Sequence, residues 1–204
     1  ALYKAKASSR GHWHLYDLPQ FEADQRRAKI EKSILSGEAL REMEVHFQPI
    51  FDLKEGVPVF AEALARWNNA ELGAVSPDEF IRISEKLGVI DRLNERLLEM
   101  ALASAETWPA NLSLSFNLSA MQLSRSGASD KLQKIVSASS FHAHRVQFEI
   151  TETAILADLG HAEQELAKLS QYGFTSALDD FGSGYASVAC LLYTSPSPRD
   201  LAVS

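Results

Sequence analysis

What the sequence lacks narrows its chemistry first. It has one cysteine in 204 residues, no apolar run near the roughly 20 residues that cross a bilayer, and fewer basic than acidic side chains. A single Cys190 makes neither an internal disulfide nor a cysteine-based zinc site. Ala1 does not open a signal peptide, so a reducing, cytoplasmic setting is expected. Lys and Arg total 20 against 27 Asp and Glu, a net charge of −7, and the imbalance is uneven. Up to His46 there are 8 basic and 7 acidic residues, which leaves 12 basic and 20 acidic beyond it. Such an acidic body is a poor binder of duplex nucleic acid, whose phosphates reward Lys and Arg, so no nucleic-acid polymer is expected as a partner. If this part handles phosphate, bound metal ions are the natural source of positive charge, and they would account for the surplus of carboxylates. With 46% hydrophobic and 23% charged residues the chain is not disordered and has enough apolar material for one domain's core.

Periodicity divides what is there. Phe21 to Leu40 spaces Phe21, Ile30, Ile34 and Leu35 among many charges, which predicts an amphipathic connecting helix, a linker rather than a core element. From Phe47 the pattern shortens to runs rich in Val, Ile and Phe. These predict strands at Phe47 to Leu53, Val57 to Arg66, Leu112 to Leu118, Val146 to Thr151 and Thr175 to Asp179, with a hairpin turn at Lys54-Glu55-Gly56. Ser76-Pro77-Asp78-Glu79 has capping-box spacing and opens a helix toward Leu87, which Gly88 ends. Further helices are predicted from Asp91 to Trp108, Asp130 to Ser137 and Asp158 to Tyr172. Alternating strands and helices pair in parallel through right-handed crossovers, giving an α/β barrel or an open doubly wound sheet.

Polar residues at the strand ends decide between those two. Glu62 lies on the second strand, Asn117 near the end of the third, Glu149 with Glu152 at the fourth, and Asp179 with Asp180 at the fifth. A barrel gathers the carboxyl ends of its strands into one mouth, whereas an open sheet splays them. The barrel is therefore expected. Glu62, Asn117, Glu149 and Asp179 offer only oxygen, which suits a hard cation such as Mg²⁺ or Mn²⁺, and Asp180 adds a carboxylate for a second metal. A two-metal site of this kind suits phosphodiester hydrolysis, with Arg66 placed to meet a phosphate by a forked pair of hydrogen bonds. Singly, each of these carboxylates reads as well as a turn former or a helix cap. Only their placement on successive strands points to a site. The pairs His12 with His14 and His142 with His144 have no third partner and read as exposed strand or loop residues, while Trp67 and Trp108 read as core.

These residues resemble a known family. Glu62-Ala63-Leu64, followed by Ala65-Arg66-Trp67, resembles the signature of EAL domains, the cyclic di-GMP phosphodiesterases of bacterial signalling. The resemblance extends in order through Phe47-Gln48-Pro49-Ile50, Ser76 to Ile81, Asn117-Leu118-Ser119, Glu149 to Glu152 and Asp179 to Tyr185. It implies a TIM-like (β/α)8 barrel of which about five strands are present. It implies metal-ligand roles for Glu62, Asn117, Glu149, Asp179 and Asp180, and catalytic roles for Glu62, Asp179, Asp180 and Glu152, the last steadying the loop from Asp180 to Ser187. Gln48 and Arg66 match positions that contact the cyclic dinucleotide, and the product is the linear dinucleotide. Ala65 for a usual Leu and Ser183 for a usual Thr are mild departures.

Ala1 to Lys6 with Arg10-Gly11 resembles the end of a GGDEF domain, the diguanylate cyclase module often fused before an EAL domain, which implies further cyclase and sensor segments upstream. The expected organisation is residues 1–17 as that remnant, 18–46 as a helical linker, 47–189 as a partial EAL domain and 190–204 as a non-native tail. Cys190 to Asp200 reads as the translation of a transposase-type sequencing adapter. It stands where the family has a sixth strand bearing the general-base Lys, so the chain as written is expected to be inactive, in contrast to its complete parent. The alternative is a catalytically inactive cyclic di-GMP receptor, and a homodimer through the later barrel elements stays open.

Overall fold

The computed structural model describes residues 18–151 and 159–179. The chain enters through helix α1 (Leu18–Ser36) and a single turn α2 (Ala39–Glu42), then forms an antiparallel hairpin of β1 (Met43–Phe51) and β2 (Pro58–Asn69). Its turn is built by Asp52, whose carboxylate accepts from the backbone N–H of Lys54 and Glu55, and by Gly56 at φ 66°. A short β3 (Gly73–Val75) pairs back on the end of β2 and was not expected from the sequence. Then follow α3 (Pro77–Lys86), α4 (Ile90–Ala105), β4 (Ser113–Leu118), the single turn α5 (Ala120–Leu123) and α6 (Ala128–Ser137). A 3₁₀ turn (Ala143–Arg145), β5 (Val146–Thr151), α7 (Leu159–Gln171) and β6 (Thr175–Asp179) complete the described residues. The strand order is β1-β2-β4-β5-β6, and every neighbouring pair after the first is parallel. The result is an α/β sheet whose parallel crossovers are those of a partial TIM-like barrel.

One face of the sheet carries the core. Alternation sends Ala61, Ala63, Leu114, Phe116, Leu118, Val146, Phe148 and Ile150 to the same side, all buried against apolar positions of α4, α6 and α7 such as Leu98, Leu102, Leu132 and Leu169. Trp108 packs edge-on to Phe47 at 4.9 Å and to Phe141 at 6.3 Å, and Trp67 is buried beside Phe80.

Two local expectations are corrected. The helix read as a linker belongs to the core: Ile30 is 0% exposed and Ile34 is buried in the same cluster as the sheet. Its Arg26 forks onto the Glu79 carboxylate at 3.0 to 3.2 Å and donates to the carbonyls of Leu72 and Ala74, so a charged face that looked solvated is spent on tertiary contacts. The same contact explains the second correction. Ser76 precedes α3 with Pro77 at its first position, yet the reciprocal capping box does not form, because Arg26 holds the Glu79 that would reach back. Gly88, at φ 69°, ends α3 as expected. No helix among the described residues is long and apolar enough to cross a membrane.

Candidate active site

The opposite face of the sheet is polar, and period-two alternation puts the expected site residues on it. Register places Gln48 opposite Glu62, Glu62 beside Ser115, Asn117 beside Glu149, and Thr151 beside Asp179. Successive strands thus present a diagonal of oxygen donors toward their carboxyl ends. The Asn117 amide donates from Nδ2 to Oε1 of Glu62 at 2.8 Å, joining β4 to β2. On the other side the Ser115 hydroxyl donates to Oε1 of Glu149 at 2.6 Å, joining β4 to β5.

Glu149 is half-buried, and its pKa is pushed up from the usual carboxylate range. Burial is the main cause, the Ser115 hydrogen bond opposes it, and the negative charges of Glu62 and Asp179 add to it. Glu149 on β5 therefore senses the charges of Glu62 on β2 and of Asp179 on β6. Among the described residues, no three acidic, His or Cys side chains converge as a group able to hold a metal ion, so the donor set is not closed within them. Asp180, Glu152 and the loop from Asp180 to Ser187 lie outside the described residues, as do His12, His14 and Cys190 to Ser204. The donors that are described fit a hard divalent cation: all are oxygen, and their mutual repulsion is what a cation relieves.

Gln48 and Arg66 are both exposed, the first on β1 across from Glu62 and the second near the end of β2 with Nη1 on the carbonyl of Ala65 at 2.9 Å. Arg66, Asn117 and Thr151 line a cavity of about 360 Å³ at these strand ends, walled on its apolar side by Val45, Leu97 and Phe116. His142 and His144 stack at 5.4 Å on the exposed turn before β5, at the other end of that strand.

Sequence reasoning missed two contributors. Ser115 lies two residues before Asn117, the spacing that puts both on one strand face, and that spacing was the available signal. Ser119 caps α5 and donates to Oε1 of Glu85 at 2.8 Å, tying the segment after Asn117 to α3, a contact without any local sequence signature.

A mostly parallel α/β sheet with acidic and amide oxygens toward its strand ends defines the class, that of TIM-like barrel proteins. The particular family follows from comparison: the EAL domain family matches residues 28–197, and the chain belongs to it. It is similar to the protein y4lL of Sinorhizobium fredii, 36% identical over 192 residues, 94% of this chain and 23% of the relative. It is also similar to the bifunctional diguanylate cyclase/cyclic di-GMP phosphodiesterase MucR of Pseudomonas aeruginosa, 27% identical over 195 residues, 94% of this chain and 28% of the relative. Among solved structures, the PaMucR phosphodiesterase in complex with c-di-GMP matches with a TM-score of 0.73 and 28% identity, over 81% of this chain and 67% of that one. The chain spans about a quarter of the length of these curated relatives. The family match begins inside α1, the helix that packs on the core.

Proposed function

We propose that this chain is part of a cyclic di-GMP phosphodiesterase domain in a larger bacterial signalling protein, hydrolysing the cyclic dinucleotide to its linear form. The observation that carries the reading is the linked row across β2, β4 and β5, in which Asn117 bonds Glu62 while Glu149 sits within the electrostatic reach of Glu62 and Asp179. EAL phosphodiesterases depend in general on divalent metal, and Mg²⁺ or Mn²⁺ suits these oxygen donors. Glu62, Asn117, Glu149 and Asp179 would hold one cation, and Asp180 with Asp179 a second. When bound, such ions offset phosphate charge and ease attack by water. Arg66 and Gln48 flank the row on the exposed side, where they bind and orient the anionic ligand, Arg66 by its forked N–H groups. Glu152, outside the described residues, would act as the positioning glutamate that the family resemblance implies.

In the full-length protein, cyclic di-GMP should be converted to the linear dinucleotide with Mg²⁺ or Mn²⁺, and Asp179→Asn should lower turnover by about 100-fold or more. Binding without turnover in the unaltered protein would make it a receptor. Absence of both would defeat the reading.

A further inference from the structure

We propose that Ser115 fixes how Glu149 meets a divalent cation, holding one carboxylate oxygen so that the other is presented alone, and thereby favours a small six-coordinate ion over calcium. This rests on the reading that a cation sits among Glu62, Asn117, Glu149 and Asp179.

Ser115 is 0% exposed, on the polar face of the central strand. A hydroxyl has a single proton to give, and two acceptors stand near it: Oε1 of Glu149 at 2.6 Å and Oε1 of Gln147 at 3.4 Å. The shorter contact takes the proton, and 2.6 Å is the length expected for a hydroxyl donating to a charged carboxylate. The arrangement repeats on the opposite side of β4, where Nδ2 of Asn117 holds Oε1 of Glu62 at 2.8 Å. One strand therefore engages one oxygen on each flanking carboxylate. Oε2 of Glu149, Oε2 of Glu62 and Oδ1 of Asn117 take no part in these two bonds and keep their full acceptor capacity for a cation.

Coordination chemistry gives this a consequence. Mg²⁺ demands near-octahedral geometry at about 2.0 to 2.1 Å and is satisfied by single oxygens, whereas Ca²⁺ takes six to eight oxygens and readily accepts both from one carboxylate. A Glu149 tethered through Oε1 supplies one oxygen and suits the smaller ion. Ser115 touches neither the cation nor the reacting atoms in this scheme. It is a positioning residue, and its signature is selectivity rather than affinity alone.

The test uses the 204-residue chain, with free Mn²⁺ followed by electron paramagnetic resonance and Ca²⁺ by titration calorimetry. Ser115→Ala should weaken Mn²⁺ binding about 10-fold, the usual cost of losing an outer-shell partner, while Ca²⁺ binding holds or tightens. The ratio of the two dissociation constants then moves about 10-fold toward calcium. Ser115→Thr, which keeps the hydroxyl, should restore the wild-type ratio. Equal weakening for both ions would show a packing role and overturn the proposal, as would no change for either. If wild type binds Mn²⁺ and the ratio is insensitive to Ser115, this inference fails alone. If wild type binds neither ion, the reading of the site fails with it.

Discussion

Glu165 is a buried acid with a purely architectural task. It sits on α7 at 1% exposure and faces the start of α6, where its carboxylate accepts from the backbone N–H of Ser129 at 2.9 Å and of Gly127 at 3.4 Å. Lys168 donates to it at 2.8 Å, and the Ser129 hydroxyl returns a bond to the Glu165 carbonyl. Burial alone would raise its pKa, but the Lys168, Ser129 and Gly127 donors outweigh that and hold it down at about 2. A carboxylate depressed in the fold contributes stability that is whole above its unfolded value of about 4.3 and is lost as pH falls toward 2. Denaturant midpoints should therefore drop between about pH 4.5 and 2, and Glu165→Gln should cost about 2 kcal/mol at pH 7 while flattening that acid limb. An acid limb as steep in the variant as in wild type would refute the assignment. Lys168 is an ordinary i,i+3 helix partner, but no local pattern announces the backbone donors of Gly127 and Ser129, which lie 36 to 38 residues away. The polar row is different. Glu62, Asn117, Glu149 and Asp179 could be picked out because strand alternation and position near a strand end are written in the sequence itself. Ser115 had only its spacing of two from Asn117 to mark it, since its meaning comes from a register that sets it opposite Gln147 with the Glu149 carboxylate 2.6 Å from its hydroxyl.

At the scale of elements the same division holds. Five strands were legible from runs of apolar and β-branched residues, though β1 begins at Met43 rather than Phe47 because it lengthens to match β2 as far as Trp67. β3 was not, for three residues carry no period and the strand exists only through pairing with Trp67 to Asn69. Helix α1 misled for another reason. Its apolar positions are sparse among charges, so it looks solvated, yet Ile30 and Ile34 reach the core and Arg26 anchors Glu79. The two readings predict different costs. For a tether outside the core, Ile30→Ala would change stability by under about 0.5 kcal/mol; for the packed helix seen here it should cost about 3 kcal/mol through lost burial and a residual cavity. Chemical unfolding of the two chains decides between them, and a cost below about 1 kcal/mol would return α1 to the status of a linker.

For the molecule as a whole, charge sets the terms of binding. The chain carries −7, and the face proposed to receive an anionic dinucleotide displays Glu62, Glu149 and Asp179. Among the described residues lining the cavity Arg66 is the one cation against that row, so direct association of ligand and protein is opposed both at long range and at contact. Cation and dinucleotide should therefore bind with strong positive coupling, each relieving the repulsion that hinders the other, and by linkage the effect must be reciprocal. Thermal unfolding measures it directly. With a chelator present, cyclic di-GMP should leave the midpoint unchanged. With Mg²⁺ or Ca²⁺ present, the dinucleotide at 100 times its dissociation constant should add about 2.7 kcal/mol, or roughly 5 to 10 °C for a chain of this size. The shift with both must exceed the sum of the shifts with each alone, and Glu62→Gln should reduce that excess, since it removes a proposed ligand of the cation. An equal shift with and without chelator would mean that the protein recognises the dinucleotide through its own donors, and the acidic row would then need another explanation.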